Sequence, residues 1–261
     1  MPSASRLARA VRHRGLPRNA RAGLLRMEIA RRLRPRAAYA LPLGAGTVYL
    51  SHDDHEIDWA SFAFVAVDDA YAGDYRGAVV VDVGAHKGYY GAYALLHGAR
   101  AVVSYEPERA NFALLEQAAG ATRGRGGAWH TRQSAVGAEH GEAELHLMGA
   151  SWGHALHPPQ AFAEYEVGVE RVRVEAFRDV LAAAVDLAAG ARVVVKVNIE
   201  GEECPTILGT PHDAWKGIDE AYVETHPWAT CGADELELHL GPAGFTRTES
   251  AHPAVLRLAR S

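Results

Sequence analysis

Two carboxylates, each delivered by an apolar run, are the residues best placed to do chemistry. Residues 78–81 form an Ala-Val-Val-Val run entering Asp82, and residues 101–105 form a second run entering Glu106. Both read as buried parallel strands. Asp82 is followed by Val83-Gly84-Ala85-His86-Lys87-Gly88. Gly84 and Gly88 permit a tight turn there and a close approach of ligand to backbone, and Gly88 also fits a purely structural place. Glu106 lies 24 positions after Asp82. A carboxylate at that strand end can accept hydrogen bonds from both hydroxyls of a ribose.

The glycine spacing separates the candidate cofactors. A pyrophosphate-binding turn reads Gly-x-Gly-x-x-Gly, but Ala85 and His86 stand where the crowded glycines would be. A phosphate loop ends in Gly-Lys-Ser/Thr, whereas this turn has Lys87-Gly88. Without a phosphate cradle, Asp82 suits a cationic cofactor head, met directly or through waters. S-adenosylmethionine carries an amino group and a sulfonium and no phosphate, so it is expected in preference to NAD. An NAD-dependent oxidoreductase is the weaker reading: Glu106 permits it and the glycines do not. Glu106 also has a bland role open to it, capping the helix that Pro107 begins.

These residues need a scaffold of strands alternating with helices. Helices are expected over 89–96, 107–118, 177–187 and 235–240, and strands over 101–105, 129–135, 192–197 and 218–224. Residues 245–258 hold a closing strand or hairpin. Segments 143–148 and 167–174 alternate apolar and polar, 151–160 is an irregular loop, and the glycines over 120–127 form another. Residues 57–67 permit a helix or a strand. The alternation from residue 78 onward predicts an open α/β sheet with helices on both faces.

Charge divides the chain. Residues 1–36 hold eleven arginines and one acid, Glu28, for a formal +10, so the rest carries −15 of the total −5. We therefore expect a basic N-terminal arm (1–36, one or two helices broken near 15–17 and Pro35), an extension packing on the domain (37–74) and a cofactor-binding domain (75–261). Leu24, Leu25, Ile29 and Leu33 fall near helical spacing and are expected to pack on the body. An acidic body argues against wrapping nucleic acid broadly, although the arm is suited to RNA, a membrane surface or an acidic partner. Arginines interrupt every apolar group of the arm, which argues against a secretory signal, and an organellar targeting segment stays open. No apolar stretch is long enough for a transmembrane helix. The default compartment is the cytoplasm, and a homo-oligomer stays open. Cys204 and Cys231 are expected to be ordinary free thiols. The polar run 51–56 (Ser-His-Asp-Asp-His-Glu) is expected to be a solvated loop.

The stretch from Val80 to Glu106 resembles the cofactor half of class I S-adenosylmethionine-dependent methyltransferases. More closely, Asp82-Val83-Gly84-Ala85-His86-Lys87-Gly88-Tyr89-Tyr90 resembles the FkbM-type family, whose pattern is Asp-Val-Gly-Ala-Asn-x-Gly followed by an aromatic. Tyr105-Glu106-Pro107 matches its Phe-Glu-Pro, and Val195 to Glu203 resembles its Leu-Lys-Ile-Asp-Val-Glu-Gly-Ala-Glu. Gln133 to Gly137 matches the segment near the adenine, and Val223-Glu224-Thr225-His226 fits the following acidic strand end. The likeness spans about residues 75–227.

That resemblance implies a Rossmann-like class I methyltransferase fold and O-methylation of a sugar or other secondary-metabolite hydroxyl. It implies cofactor roles for Asp82, Gly84 and Glu106, with His86 and Gly88 in the same turn and Ser134 and Ala135 beside the adenine. Lys196, Glu200 and Glu224 would meet the acceptor. The sequence departs from the pattern twice, with Asn198 for the family's Asp and His86 for its Asn.

Methyl transfer to a hydroxyl needs in-line alignment and removal of a proton. The candidate groups are Glu200, Glu224, His226, Lys196 and His154. A neutral His226 oriented by Glu224 is a reasonable base, since alternate residues of a strand share a face. Lys196 is suited to lowering the pKa of an acceptor hydroxyl or to pairing with Glu200. His154 and His157 sit in a loop suited to covering the pocket. Glu200, Glu224 and His226 have donor types that suit a divalent ion, as does the 52–56 cluster, but Asn198 is a weak donor and no metal is expected. An RNA methyltransferase and a catalytically degenerate binding protein are the other readings.

Overall fold

The computed structural model describes residues 4–13, 15–33, 38–122 and 127–260. Two helices come first, α1 (Ala4–Arg12) and α2 (Arg18–Leu33), then the antiparallel hairpin β1 (Ala38–Leu43) and β2 (Gly46–Ser51) and helix α3 (His55–Ala66). The α/β body follows as β3 (Val79–Val83), α4 (Tyr89–Leu96), β4 (Ala101–Tyr105), α5 (Arg109–Thr122) and β5 (Ala128–Arg132). After an inserted sheet come α6 (Phe177–Ala188), β9 (Val193–Val197), α7 (Glu203–Leu208), β10 (Glu220–Glu224), α8 (Ala233–Leu240), β11 (Phe245–Thr248) and β12 (Val255–Arg260). The insert is β6 (Ala135–Gly137), β7 (Gly141–Met148) and β8 (Glu166–Ala176), ordered β6-β8-β7.

The main sheet has seven strands in the order β11-β12-β10-β9-β3-β4-β5. Five central and flanking strands run parallel, and the β11–β12 hairpin joins antiparallel through β12 on β10. Val79, Val81, Val193, Val195 and Val223 pack on one face with α6 and α8. Val80, Val102, Val194 and Tyr222 pack on the other with α3 and α4. Valine runs buried on both faces are what a parallel sheet covered by helices requires. Each such valine contributes about 1.5–3 kcal/mol relative to exposure. This is an open, mostly parallel, Rossmann-like α/β sheet with helices on both faces.

The chain order reverses beside β3. Strands β4 and β5 lie on one side of it, and β9 and β10 on the other. The crevice at the carboxyl ends of β3 and β9 is therefore a topological switch point, where open α/β sheets take their ligands. Asp82 pairs in register with Ser104 of β4 and Lys196 of β9, the two strands that flank β3.

Several local expectations are corrected. The choice left open for residues 57–67 falls to helix, which runs to Ala66, with Asp58, Trp59, Phe62, Val65 and Ala66 on its buried face. The expected strand 129–135 ends at Arg132, and Ala135 begins β6 in the other sheet. Helix α5 continues through Gly120 to Thr122. Residues 123–126 of the expected glycine loop, and the break at Pro35, lie outside the described residues.

The arm does break at 15–17, but its apolar face divides. Leu24 and Met27 are buried on the body, while Leu25, Ile29 and Leu33 are 46%, 58% and 74% exposed. Leu25, Ile29 and Leu33 follow one another at spacing four, a quarter-turn or more away from the face that Leu24 and Met27 share with Ala20. Nor is 51–56 a solvated loop. His55 is buried against Glu28 of α2 (2.7 Å), Asp54 lies 3.6 Å from buried Lys87, and His52 meets Tyr39.

Cys204 and Cys231 are joined in a disulfide. Their 27-residue separation hid this, because the chain returns past β10 to bring the two Cα atoms within 5.7 Å. The bond ties α7 to the loop that follows His226-Pro227-Trp228. Among the described residues, no helix is long and apolar enough to cross a membrane.

Candidate functional site

A cavity of about 460 Å³ opens at the switch point. Its wall takes Gly84 and His86 from the turn after β3, Glu106 from the end of β4, and Ser134 and Ala135 from the entry to β6. Lys196, Asn198 and Glu200 come from the end of β9, and Glu224 and His226 from the end of β10. Residues far apart in sequence converge because parallel strands present their carboxyl ends on one edge.

The turn after β3 is shaped by sterics. Gly84 has φ +74°, and a Cβ there would sit 1.7 Å from the Asn198 carbonyl oxygen, so only glycine fits. His86 also has a positive φ, 51°. That conformation turns its amide onto the Glu106 carboxylate (2.8 Å), which also accepts from the Glu108 amide (3.0 Å). Burial pushes the Glu106 carboxyl up to about 7, against the downward pull of those two amides. Glu108, not Glu106, caps α5, accepting from the Ala110 and Asn111 amides.

Two residues expected at the cofactor lie elsewhere. Asp82 is fully buried and outside the cavity wall. Its carboxylate accepts from Lys196 (3.1 Å) and Ser104 (3.3 Å), so it braces the strand ends. Gly88 starts α4 in the left-handed region (φ +88°), packed under Leu115 and Trp129 and likewise outside the wall. Ser134 and Ala135 are buried in the wall, with the Ser134 hydroxyl donating to Glu175 (2.8 Å).

Lys196 does not pair with Glu200. Its ammonium donates to Asp82 and to the Gly84 carbonyl (2.7 Å), toward the β3 turn. Glu224 does not orient His226 either. It accepts from the Tyr71 hydroxyl and from the Asn198 amide, both at 2.7 Å.

His226 instead stands between Glu200 (3.5 Å) and Glu203 (3.2 Å). Burial alone would lower its pKa, but the two carboxylates outweigh that and raise it to about 10. A pKa raised that far favours the imidazolium form at neutral pH and argues against His226 as the base, although its Nδ1 makes no hydrogen bond within the protein. Glu200 lies in a left-handed backbone conformation (φ 55°). Burial raises its carboxyl above the ordinary range despite His226.

Glu203, the last residue of the Val195–Glu203 motif, has a positioning role. Its carboxylate accepts from the Ile199 and Gly201 amides (2.8 and 2.9 Å) and so holds the turn that presents Glu200. The Glu-x-x-Glu spacing of Glu200 and Glu203 was the available signal. Tyr71, from the loop before β3, had none, because only the fold brings it to Glu224.

The roof comes from the insert. Ser151 accepts from Lys87 (3.1 Å) and meets the His86 ring (3.0 Å), and Lys87 is held by Asp58 of α3 (2.5 Å). Burial, with the charge of Lys87 beside it, lowers the His86 pKa well below 6.5, leaving a neutral ring. His154 accepts from the Met148 amide (2.9 Å), and exposed His157 pairs with Glu202 (2.7 Å). His86 Nδ1 and Asn198 Oδ1 are buried in this region with no protein hydrogen-bond partner. Among the described residues, no group of three or more His, Cys, Asp or Glu side chains is placed to hold a metal ion.

No protein-family model matches the sequence, and no curated protein matches it. Solved structures do. The methyltransferase FkbM from Methylobacillus flagellatus aligns with 79% of this chain and 52% of its own, at 14% identity and a TM-score of 0.45. The magnesium protoporphyrin IX methyltransferase from Synechocystis aligns over 80% and 79%, at 12% identity and a TM-score of 0.37. The ribosomal protein L11 methylase from Lactobacillus delbrueckii subsp. bulgaricus aligns over 80% of both chains, at 11% identity and a TM-score of 0.37. These are likenesses of chain arrangement and carry nothing about what this protein acts on.

Proposed function

We propose that this protein is an S-adenosylmethionine-dependent O-methyltransferase acting on a hydroxyl of a small molecule, a sugar or another secondary metabolite. The carrying observation is the charge of the switch-point cavity. Glu106, Glu200, Glu202 and Glu224 line it against Lys196 and His226, and no arginine lines it among the described residues. Such a wall suits a cofactor with a sulfonium and an ammonium and opposes one with phosphates. The NAD reading loses support on the same ground.

The residues present fit that cofactor. Glu106 would take the ribose hydroxyls on the lone pairs its two amide donors leave free. Ser134 and Ala135 would flank the adenine, with Gly84 giving the close backbone approach. Asn198 Oδ1, buried without a partner, is an acceptor suited to an ammonium. Asp82 and Gly88 act behind this layer as braces. When bound, S-adenosylmethionine supplies an electrophilic methyl carbon on a positively charged sulfur.

The chain's own task is to position the acceptor and take its proton. Glu200 is our candidate base, a carboxylate whose raised pKa strengthens it as a proton acceptor. His226, as an imidazolium, and Glu203 hold it. Lys196 positions the β3 turn through Asp82 and Gly84. Glu224, fixed by Tyr71 and Asn198, offers its carboxylate to the acceptor's other polar groups.

An RNA substrate would need a positive groove beside the site, and the acidic wall does not favour it. A catalytically degenerate binding protein would not need the Glu200–His226–Glu203 set kept in place. Calorimetry with S-adenosylhomocysteine and with NAD tests the cofactor, and binding of the first without the second is expected. Binding of NAD alone would overturn the proposal. Glu200→Gln is expected to lower kcat about 100-fold or more with the affinity for S-adenosylhomocysteine unchanged. Full activity in that variant would remove Glu200 as the base.

A further inference from the structure

A second cavity, of about 340 Å³, adjoins the first. Its wall includes Met148, Trp152, Phe162, Tyr165, Trp228 and Glu200. Trp152, Trp228 and Glu200 line both cavities, so the two meet at the candidate base. The aromatic wall is ordered by packing. Phe162 meets Trp228 edge to face (centroids 5.4 Å), and Trp228 lies over the His226 ring (4.8 Å). Among its described lining residues Glu200 is the only charged side chain.

The apolar character continues outward. Tyr165, just before β8, and Val167 and Val169 in its first residues are 57%, 71% and 47% exposed. Tyr165 lines the cavity, and Val167 reaches the Gly149 side of its rim. Tyr165 and Val167 thus add exposed apolar surface at the cavity's rim.

We propose that this second cavity seats the methyl acceptor and selects a hydroxyl compound with a hydrophobic ring or chain, such as a phenol, over a free sugar. The inference rests on the methyltransferase reading and narrows its acceptor. A sugar brings several hydroxyls, each needing a partner once buried. This wall offers them Glu200, one phenol and two indole N–H groups. A hydrophobic body needs none, gains from burial against the aromatic wall, and carries one hydroxyl to Glu200 at the junction. There the acceptor oxygen forms its bond to the methyl carbon and the carbon–sulfur bond breaks. The sulfur keeps that electron pair as a thioether, and the hydroxyl proton passes to Glu200.

The test uses the full chain saturated with S-adenosylhomocysteine and titrated with 2-naphthol and with methyl β-glucoside. Calorimetry and tryptophan fluorescence report binding. Two variants accompany it. Phe162→Ala removes one wall. Gly153→Leu plugs the cavity from a position where a Cβ meets only the Ala150 oxygen at 3.7 Å and Met148 at 3.9 Å, so it remains informative if Phe162→Ala fails to fold. Saturable naphthol binding, weakened about tenfold in either folded variant with S-adenosylhomocysteine affinity kept within twofold, is the expected result. Tighter binding of the glucoside, absence of naphthol binding, or naphthol binding indifferent to both variants would overturn the assignment. If the wild type takes no S-adenosylhomocysteine, the methyltransferase reading fails. Naphthol titrated alone then decides the cavity's preference by the same variants.

Discussion

On the proposed reading, Glu106 is the residue whose protonation is linked to cofactor binding. Its carboxyl is pushed up to about 7 by burial, and only the ionised form can accept from two ribose hydroxyls. Binding must therefore expel a proton below that pH. The affinity for S-adenosylhomocysteine is expected to rise with pH up to about 7 and level off above it, falling roughly tenfold per unit on the acid side. Calorimetry from pH 5.5 to 8.5 checks this, and a flat profile would remove Glu106 from the ribose. His226 shows the opposite sense. Its pKa is raised to about 10 in the folded protein, so its contribution to stability is fully present below about 6.5 and lost as pH rises through about 10. His226→Gln leaves Glu200 and Glu203 facing each other and is expected to cost about 3 kcal/mol near pH 6. Denaturant titrations of both proteins should converge as the pH approaches 10. Asn198 has a physical role of its own beside Glu224. Its amide donates to Glu224, whereas an Asp would set two carboxylates against each other.

At the scale of elements, the site depends on how closely β3 and β9 approach. Gly84 lies where a methyl group would overlap the Asn198 carbonyl, and it also has a positive φ. Gly84→Ala is expected to splay the two strand ends, destabilise the fold by about 3 kcal/mol or more, and abolish S-adenosylhomocysteine binding. Thermal unfolding with and without the ligand would measure both effects. Unchanged ligand-induced stabilisation would contradict this role. Neither the turn's chemistry nor its spacing reveals the Asn198 contact, since β9 lies more than a hundred residues downstream. The disulfide has the same character. It joins α7, which carries Glu203, to the segment following Trp228, so the turn bearing Glu200 and an aromatic wall of the second cavity share one covalent tie.

At the scale of the molecule, the arm and the body are one packed unit. Ala10, Leu16, Ala20, Leu24 and Met27 bury into the same core as Trp59, Phe62 and Tyr89. Glu28 of α2 pairs with His55 of α3, and Asp58 of α3 pairs with Lys87 in the turn beside the cavity. The chain of contacts thus runs from the basic helices to the site. Leu24→Ala is expected to cost about 2–4 kcal/mol and to lower the midpoint for the whole protein in a single transition, read by circular dichroism. A separate, early transition of the arm alone would show that it folds independently. Eight of the arm's eleven arginines fall within α1 and α2, helices that also bury Ala10, Ala20, Leu24 and Met27 in the core.

The sequence by itself determined the sheet and the place of the cavity. Valine runs ending in Asp82, Glu106 and the Lys196 segment can only be buried strands, and parallel strands bring their carboxyl ends to one edge. It also determined the absence of a phosphate cradle, because that depends on glycines adjacent in the chain. Tertiary structure alone decided which charges meet. Lys196 turned to Asp82, Glu224 to Tyr71 and Asn198, and His226 to Glu200 and Glu203, whose charges raise its pKa. It alone decided the disulfide and the aromatic second cavity, both made by segments that approach only after folding. The division follows range. Periodicity and turn chemistry act between near neighbours, whereas ion pairing and desolvation depend on partners that the fold brings from elsewhere in the chain.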